Sequence, residues 1–275
     1  MAIKLICIDM DGTLLMDQQN VSEENKIAIK EAVSRGVHVA ITTGRVYNCA
    51  KLYSDEIGLK TPIIASNGAF IGGSNGETIY NNPLSSNEIK DFLSLTKQYG
   101  LLSYLTGNFG IVSTTELPDN HIYKVLNKRL KDEEKIKFEV IDNIDNAFKL
   151  YPNQLLKGVC IEKNNISNLM KVKKELKQLN PELEIVSSWD DNFEIMKKGS
   201  SKGEAVAQLA KYFNLKRDEV MCIGDSENDL SMIEYAGIGV AMGNAIDIVK
   251  QSAKYVTLPN TESGVAKAIE KFVLS

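Results

Sequence analysis

The sequence predicts an α/β protein built on a doubly wound parallel sheet, with a second, α+β domain inserted into the chain. Three observations support this fold class. Short apolar runs alternate with helical segments at both ends of the chain, which is the pattern of a parallel sheet covered by helices on both faces. The middle of the chain instead has paired short strands and many Lys and Glu residues. Polar, glycine-containing turns follow the apolar runs at both ends, which indicates one shared sheet.

The N-terminal segment begins this alternation. Apolar runs that end in turn residues predict strands at 3–9, 36–42 and 61–66. A helix is predicted from Ser22 to Arg35, because its first serine can cap it and a glycine follows its last residue. A further helix is expected after Arg45.

The C-terminal segment repeats the pattern. Strands are predicted at 193–196, 219–225 and 237–242. Helices are predicted to begin at Ser201, Ser226 and near Gly264. We therefore expect residues 1–82 and 188–275 to fold together as one discontinuous, Rossmann-like domain.

The middle of the chain, residues 83–187, predicts a separate α+β domain. The runs 101–106 and 109–114 flank a Gly-Asn turn and predict an antiparallel hairpin. A long polar helix is predicted at 165–180. Two consecutive domains divided near residue 150 are the alternative, but they explain less well why both ends of the chain carry strands with polar tips.

Composition excludes several classes of function. The net charge is −4 and there is no long basic run, so we expect no nucleic-acid or anionic-membrane partner. No apolar stretch approaches the roughly 18 residues that a membrane span needs, and the apolar run near the N-terminus is too short for a signal peptide. The four cysteines form no C-x-x-C pair and predict buried thiols in a reducing compartment. We therefore expect a cytoplasmic protein, either a monomer or a small homo-oligomer.

Polar residues follow four of the predicted strands, at the sheet edge where α/β proteins bind ligands. These groups are Asp9 with Asp11, Thr42 to Arg45, Ser66 to Gly68, and Gly224 to Asp229. Two carboxylates about 4 Å apart repel by roughly 4 kcal/mol at an effective dielectric of about 20. The first pair therefore indicates a bound cation or a protonated carboxyl. Acids, hydroxyls and amides at one edge suit a hard cation together with a phosphate.

Metal and anion candidates follow from these positions. Asp9 and Asp225 offer the oxygen ligands that Mg²⁺ prefers. Residues 226–229 also fit an S-x-x-D capping box, so capping and metal binding both remain open for Asp229. Lys202 lies in a first helical turn, where a cation opposes the helix dipole by about 0.3–1 kcal/mol. A solvated surface lysine is the alternative, but beside the acidic cluster the position favours an anion-binding role.

Thr43, Gly44 and Arg45 form a candidate phosphate-binding turn. The threonine hydroxyl and backbone N–H groups could donate to a phosphate, and the guanidinium could add a bidentate contact. An ordinary strand-to-helix turn explains the same three residues, so this signal is weak by itself.

Six sequence blocks in this order resemble the haloacid dehalogenase-like (HAD) hydrolase superfamily, and within it the Cof-type sugar-phosphatase-like group. The blocks are D-M-D-G-T-L at 9–14, T-T-G-R at 42–45, S-N-G-A at 66–69, S-K-G at 201–203, G-D-S-E-N-D at 224–229 and M-G-N-A at 242–245. They cover both ends of the chain. The middle corresponds to a type IIB cap in size and type only. The resemblance implies a HAD-like core, a substrate-specificity cap at 83–187 and Mg²⁺ as the cofactor.

The resemblance also implies roles for individual residues. Asp9 would be the nucleophile that forms an aspartyl-phosphate, and Asp11 the general acid and then the general base. Thr43 and Lys202 would complete the catalytic set by stabilising the transferring phosphoryl group. The implied metal ligands are Asp9, the backbone carbonyl of Asp11, Asp225, and Asp229 indirectly or through water. The implied phosphate- and substrate-binding residues are Met10, Gly12, Thr43, Gly44, Arg45, Asn67, Gly68, Lys202 and Asn228. For Asn228, the alternative implied role is to orient Lys202.

The implied function is a Mg²⁺-dependent phosphatase that hydrolyses small phosphate esters, such as sugar phosphates. A phosphomutase or phosphotransferase on the same scaffold remains an alternative, as does a non-catalytic protein that binds phosphorylated metabolites. A signalling receiver domain also clusters Asp, Thr and Lys, but it is less than half this length and would give Asp11 no task. Tyr104 and Trp189 could stack on a substrate, but core packing is the favoured explanation for each of them.

Overall fold

The computed structural model describes residues 2–17, 19–187 and 190–275. The chain divides into two compact units. The first comprises Met1–Arg45, Ala50–Tyr80 and Ser201–Ser275, and the second comprises Val46–Cys49 and Asn81–Ser200. Trp189, the candidate stacking residue, and residue 188 at the expected domain boundary lie outside the described residues.

Strands and helices alternate along most of the chain. The strands are β1 (Leu5–Asp9), β2 (His38–Thr42), β3 (Ile63–Ala65), β4 (Phe70–Gly72), β5 (Thr78–Asn81), β6 (Leu102–Gly107), β7 (Gly110–Ser113), β8 (Lys137–Val140), β9 (Leu155–Ile161), β10 (Leu183–Val186), β11 (Asn192–Lys197), β12 (Val220–Gly224), β13 (Ile238–Ala241) and β14 (Tyr255–Val256). The helices are α1 (Glu23–Ser34), α2 (Tyr47–Ile57), α3 (Ser86–Gln98), α4 (Ile122–Leu126), α5 (Ile144–Leu150), α6 (Ile166–Leu179), α7 (Lys202–Tyr212), α8 (Leu230–Tyr235), α9 (Asp247–Ser252) and α10 (Gly264–Ile269). Within the described part of the chain, no helix is long and apolar enough to cross a membrane.

The first unit contains a sheet with the strand order β14-β13-β12-β1-β2-β3-β4-β5. The strands from β14 to β3 are parallel to their neighbours, and β4 is antiparallel to β3. Every residue of the central strand β1 is buried, as expected for a strand covered on both faces. The predicted fold class is therefore confirmed.

Two predicted caps hold the ends of core helices. The Ser22 hydroxyl accepts a hydrogen bond from the backbone N–H of Asn25 at 3.2 Å, at the start of α1. The Ser201 hydroxyl accepts one from the N–H of Glu204 at 3.1 Å, at the start of α7. Each cap satisfies a backbone donor that the first helical turn leaves unpaired. The start of α7 is thereby defined at Lys202.

The second unit contains a sheet of mostly antiparallel strands, against which α3 and α6 pack. Its strand order is β10-β11-β9-β6-β7-β8, and the predicted hairpin is formed by β6 and β7. Phe92 of α3 and Phe193 of β11 meet edge to face, with ring centroids 6.2 Å apart. Helix α6 contributes Leu169, Val172 and Leu176 to the same apolar core. Burial of these side chains drives the helices onto the sheet.

The strand predicted at 193–196 lies in the second unit, which corrects its expected place in the parallel core. Strand β11 pairs antiparallel with both β9 and β10. A short apolar run predicts a strand but does not identify its partners. The structure therefore divides the units between Ser200 and Ser201, C-terminal to the expected boundary between residues 187 and 188.

Candidate active site

Three carboxylates lie together at the carboxyl ends of β1 and β12, which are parallel neighbours. Asp9 is the last residue of β1, Asp225 directly follows β12, and Asp229 ends the 3₁₀ turn after β12. One oxygen from each carboxylate lies within 4.8 Å of the others. Hard oxygen donors gathered this closely suit a divalent cation such as Mg²⁺. All of the predicted catalytic, metal-binding and phosphate-binding residues belong to the first unit, whereas the candidate stacking residue Tyr104 is buried in the second.

Lys202 is buried between two of these carboxylates. Its Nζ lies 2.6 Å from Asp9 Oδ1 and 2.6 Å from Asp229 Oδ1. The lysine side chain is only 1% exposed, which is inconsistent with the alternative of a solvated surface lysine. An ammonium between two buried carboxylates offsets part of their repulsion and of their desolvation cost.

Burial and the neighbouring charges shift the pKa values of Asp9, Asp225 and Lys202. Burial raises the pKa of Asp9 well above its ordinary value, and the carboxylates of Asp229 and Asp225 raise it further, against the effect of Lys202. Burial and Asp229 raise the pKa of Asp225 to about 6. Burial lowers the pKa of Lys202, but the carboxylates of Asp229 and Asp9 outweigh it, so the pKa stands above its ordinary value. Three carboxylates around one ammonium leave an excess of negative charge, which favours a further cation.

Asp229 has the capping contacts that its sequence position predicts, and it also contacts Lys202. Its Oδ2 accepts hydrogen bonds from the backbone N–H of Asp225 at 2.9 Å and of Ser226 at 3.0 Å. Its Oδ1 accepts from Lys202. Asp229 therefore caps the turn after β12 and also orients the lysine. Because both oxygens already accept hydrogen bonds within the protein, the geometry is compatible with an indirect contact to a metal.

Two hydroxyls that sequence analysis did not assign to the site donate hydrogen bonds to Asp225. Thr13 Oγ1 donates to Asp225 Oδ1 and Ser226 Oγ donates to Asp225 Oδ2, each at 3.0 Å. Gly12 also lies against this carboxylate. It has a φ of +80°, and a Cβ there would lie 2.5 Å from Asp225 Oδ2. Thr13 lies in the sequence block at 9–14 and Ser226 in the block at 224–229. Their places in these blocks were the signal by which sequence analysis could have assigned them to the site.

Asp11 is separated from the acidic cluster because β1 ends at Asp9, so Asp11 lies in the following turn. Its carboxylate instead forms a two-point contact with Arg45. Nε of the arginine donates to Asp11 Oδ2 at 2.9 Å, and Nη2 donates to Oδ1. The side chain of Asp11 is 42% exposed and that of Arg45 is 11% exposed. Arg45 was expected to contact the substrate phosphate, whereas the structure shows its guanidinium on Asp11.

The turns after β2 and β3 are linked to each other. The backbone N–H of Asn67 donates to the Thr43 carbonyl at 3.0 Å, and the Asn228 side-chain amide donates to Asn67 Oδ1 at 3.1 Å. A Cβ on Gly44 would lie 2.8 Å from that same Oδ1, so glycine allows the close approach. Asn228 was expected to contact the phosphate or to orient Lys202. In the structure it supports Asn67, and Asp229 orients the lysine.

Gly68 brings the turn after β3 against the start of α7. Its φ is +96°, and a Cβ there would lie 2.2 Å from the carbonyl oxygen of Ser201. The helix that carries Lys202 is thereby packed closely on this turn. Met10, which was expected to bind the substrate, is fully buried.

The M-G-N-A block, to which sequence analysis gave no task, anchors the turn that follows β1. The side-chain amide of Asn244 donates to the Gly12 carbonyl at 2.9 Å. Its Oδ1 accepts from the backbone N–H of Asn260 at 2.9 Å, and the Asn260 side chain donates to the Leu15 carbonyl at 2.8 Å. Two asparagines therefore connect the turn that carries Asp11 to the C-terminal segment.

The chain is similar to known proteins over nearly its whole length. A model of the haloacid dehalogenase-like hydrolase family matches residues 6–269. The chain is 37% identical over 272 residues to the 5-amino-6-(5-phospho-D-ribitylamino)uracil phosphatase YcsE of Bacillus subtilis, covering 99% of this chain and 96% of the relative. It is 34% identical over 279 residues to the putative phosphatase YxeH of the same organism, covering 99% of each chain.

Solved structures show the same fold. A haloacid dehalogenase-like hydrolase from Bacillus subtilis superposes with a TM-score of 0.85 at 29% identity, covering 98% of this chain and 100% of the other. A haloacid dehalogenase-like hydrolase from Bacteroides thetaiotaomicron superposes with a TM-score of 0.83 at 27% identity, covering 98% and 99%.

Proposed function

The chain belongs to the haloacid dehalogenase-like hydrolase family and is a phosphatase, and we propose that it hydrolyses small phosphorylated metabolites with Mg²⁺ through an aspartyl-phosphate. The Cof-type grouping expected from its sequence blocks is confirmed. The observation that carries the proposal is the buried lysine between Asp9 and Asp229, with Asp225 beside them. This arrangement combines a nucleophile, a fixed positive charge and a metal-binding set of oxygens.

The proposed substrate class is a phosphate monoester of a sugar or polyol. YcsE, at 37% identity, and YwtE, at 32% identity, are both named for a compound with a phospho-D-ribityl chain. An ester of this kind releases an alkoxide, which is a poor leaving group and needs a proton as it departs. Asp11, in the turn directly after Asp9, is the proposed proton donor.

Mg²⁺ is the proposed cofactor because the donor set consists of hard oxygens only. The carboxylates of Asp9 and Asp225 and the backbone carbonyl of Asp11 would hold it, with Asp229 acting through water. When bound, Mg²⁺ supplies positive charge near the phosphoryl group during transfer. It would also balance the excess negative charge of the three carboxylates.

In the first half-reaction, Asp9 acts as the nucleophile. Its Oδ1 accepts a hydrogen bond from Lys202. An oxygen of this carboxylate attacks phosphorus while the bond from phosphorus to the ester oxygen breaks. Asp11 gives its proton to the departing oxygen. Lys202 and Thr43 hold the phosphoryl oxygens during the transfer.

In the second half-reaction, Asp11 acts as a base. It takes a proton from a water molecule whose oxygen attacks the phosphorus of the aspartyl-phosphate. The bond between phosphorus and Asp9 breaks, and its electron pair returns to the carboxylate. Inorganic phosphate leaves, and the proton on Asp11 is available for the next alcohol.

Release of inorganic phosphate tests the proposal. The compounds are 5-amino-6-(5-phospho-D-ribitylamino)uracil and a panel of sugar and polyol phosphates, each assayed with Mg²⁺ and with a chelator. We expect Mg²⁺-dependent release that Asp9→Asn abolishes while the fold is retained, and that the exposed-site control Asp218→Asn leaves unchanged. Activity that persists in Asp9→Asn would overturn the assigned nucleophile. Accumulation of an isomerised phosphate in place of inorganic phosphate would indicate a mutase.

A further inference from the structure

The two-point contact between Arg45 and Asp11 assigns a task to an arginine that was expected to bind phosphate. We propose that Arg45 is a positioning residue, which fixes the Asp11 carboxylate for the step in which water attacks the phosphoryl-enzyme. The inference rests on the proposed function, because it requires an aspartyl-phosphate that water then hydrolyses.

Geometry at the carboxylate supports this role. The Nε and Nη2 atoms of Arg45 donate to different oxygens of Asp11. This pair of hydrogen bonds, the guanidinium fork, fixes the plane of the carboxylate as well as its position. The Asp11 side chain is 42% exposed, and without the fork it could turn about its side-chain torsions. Each oxygen accepts one bond from the arginine and keeps a lone pair. The carboxylate is therefore held in place and can still accept a proton from water.

Arg45 is itself rigidly placed. Its backbone N–H donates to Thr43 Oγ1 at 3.1 Å, and its carbonyl accepts from the backbone N–H of Ser66 at 3.0 Å. The guanidinium carbon lies 6.0 Å from the centroid of the buried ring of Tyr53, within the range of a cation–π interaction. Arg45 is thus a fixed anchor, and Asp11 is the residue that it orients.

The backbone beside Asp11 is restrained independently. Asn244 donates to the carbonyl of Gly12, and Asn260 in turn holds Asn244. The turn is therefore held through its backbone on one side and through the Asp11 carboxylate on the other. Catalysis requires a base at a well-defined position, because a misplacement of about 1 Å can lower the rate roughly 100-fold. The two restraints on Asp11 provide such a position.

A direct phosphate contact by Arg45 is the competing role, and the two roles differ in kinetics. A phosphate ligand would affect substrate binding and inhibition by inorganic phosphate. A residue that positions Asp11 would affect only the steps in which Asp11 moves a proton. With p-nitrophenyl phosphate the leaving group is a stabilised phenolate that departs without a proton. Only the water step then depends on Asp11, and a defect in that step makes the phosphoryl-enzyme accumulate.

Rapid-quench assays with radiolabelled p-nitrophenyl phosphate provide the test, on the full chain with Mg²⁺. The variants are Asp11→Asn, Arg45→Met and Arg45→Lys, with Arg35→Met as a control that removes an exposed arginine–glutamate pair. Asp11→Asn should trap label on the protein. Arg45→Met should trap it too, with a dephosphorylation rate lowered by about 10- to 100-fold and a KM close to that of the unmodified chain.

Arg45→Lys keeps the charge but lacks the fork, so it should fall between Arg45→Met and the unmodified chain. It also serves as the test if Arg45→Met does not fold. Arg35→Met should behave as the unmodified chain.

Two other outcomes would contradict the reasoning at different points. If Asp11→Asn traps label but both Arg45 variants only raise KM and weaken inhibition by inorganic phosphate, Arg45 binds the phosphoryl group and the inference is wrong. If Asp11→Asn releases p-nitrophenol but traps no label, the covalent mechanism of the proposed function fails and the inference falls with it. The first outcome leaves the proposed function intact, so the two failures are distinguishable.

Discussion

Replacing Asp225 by Asn should stabilise the metal-free protein while it removes the response to Mg²⁺. Folding raises the pKa of Asp225 from its ordinary value of 3.8 to about 6, chiefly through burial and through Asp229. A carboxyl with a raised pKa binds its proton more tightly in the folded chain than in the unfolded one. Its stabilising contribution is therefore present below pH 3.8 and is lost as the pH rises through about 6.

The magnitude follows from that shift. The rise from 3.8 to about 6 is about 2 units, and each unit corresponds to about 1.36 kcal/mol. Ionised Asp225 thus costs the metal-free fold about 3 kcal/mol at neutral pH. Asparagine cannot ionise, but it weakens the hydrogen bonds from Thr13 and Ser226 by about 1 kcal/mol. The net gain of about 2 kcal/mol corresponds to a rise in Tm of about 3–4 °C, because a chain of 275 residues has an unfolding entropy of about 0.6 kcal/mol/K.

Thermal unfolding of chelator-treated protein measures this effect. The unmodified chain, Asp225→Asn and the exposed control Asp218→Asn are compared at about pH 4 and about pH 8, below and above the raised pKa. The advantage of Asp225→Asn should be present at the higher pH and vanish at the lower one. Added Mg²⁺ should then raise the Tm of the unmodified chain but not of Asp225→Asn. If Asp225→Asn is less stable than the unmodified chain at the higher pH without metal, the electrostatic reasoning is refuted.

Three further predictions concern the lysine, a helix cap in the second unit and a glycine. Lys202→Met leaves two buried carboxylates without their cation, so it should abolish phosphate release and lower the free energy of unfolding in urea by about 3–5 kcal/mol. An unchanged unfolding midpoint would contradict this prediction, as would an equally large loss in the exposed control Lys211→Met. Burial and a neighbouring lysine lower the pKa of His121, so its contribution to stability is present above pH 6.5 and lost as the pH falls below it. His121→Asn, which can still cap α4, should make urea unfolding less dependent on pH between about 5 and 7.5, and an unaltered pH dependence would refute this. Gly68→Ala should lower both kcat and Tm, because its Cβ would collide with the carbonyl that precedes α7. Gly76 also has a positive φ, but a Cβ there would meet no other atom within 4 Å, so Gly76→Ala should lower Tm alone. Equal effects of the two substitutions on kcat would show that the contact between Gly68 and the Ser201 carbonyl is not important for catalysis.

Much of the core could be predicted from local sequence. Apolar runs that end in Asp or Gly define β1 and β12, because a buried parallel strand is apolar along its whole length. Ser22 and Ser201 cap helices as predicted, because capping requires only a side-chain oxygen at the correct position in the chain. The polar residues after β1, β2, β3 and β12 could be placed at one sheet edge on the same basis.

Partners that depend on packing could not be predicted in this way. The strand at 193–196 was predicted, but its neighbours were not, since hydrogen bonding along a strand edge is the same for any partner. Asn228 carried no local signal for its contact with Asn67. Arg45 could be recognised as a cation near the sheet edge, but not as the partner of Asp11. The assigned roles of these residues in catalysis and binding stay predictions that the experiments above test.

The sequence by itself determined which chemical groups the site has: the block around Asp9, the acids after β12 and the lysine that opens α7. Only the tertiary structure decided which of these groups meet. Lys202 contacts Asp9 and Asp229, which are 193 and 27 positions away along the chain, and Arg45 contacts Asp11 across 34 positions. The physical reason is that an ion pair depends on the order of strands and the placement of a helix on them. Those follow from burial summed over the whole chain, whereas motifs and caps are satisfied by neighbouring residues.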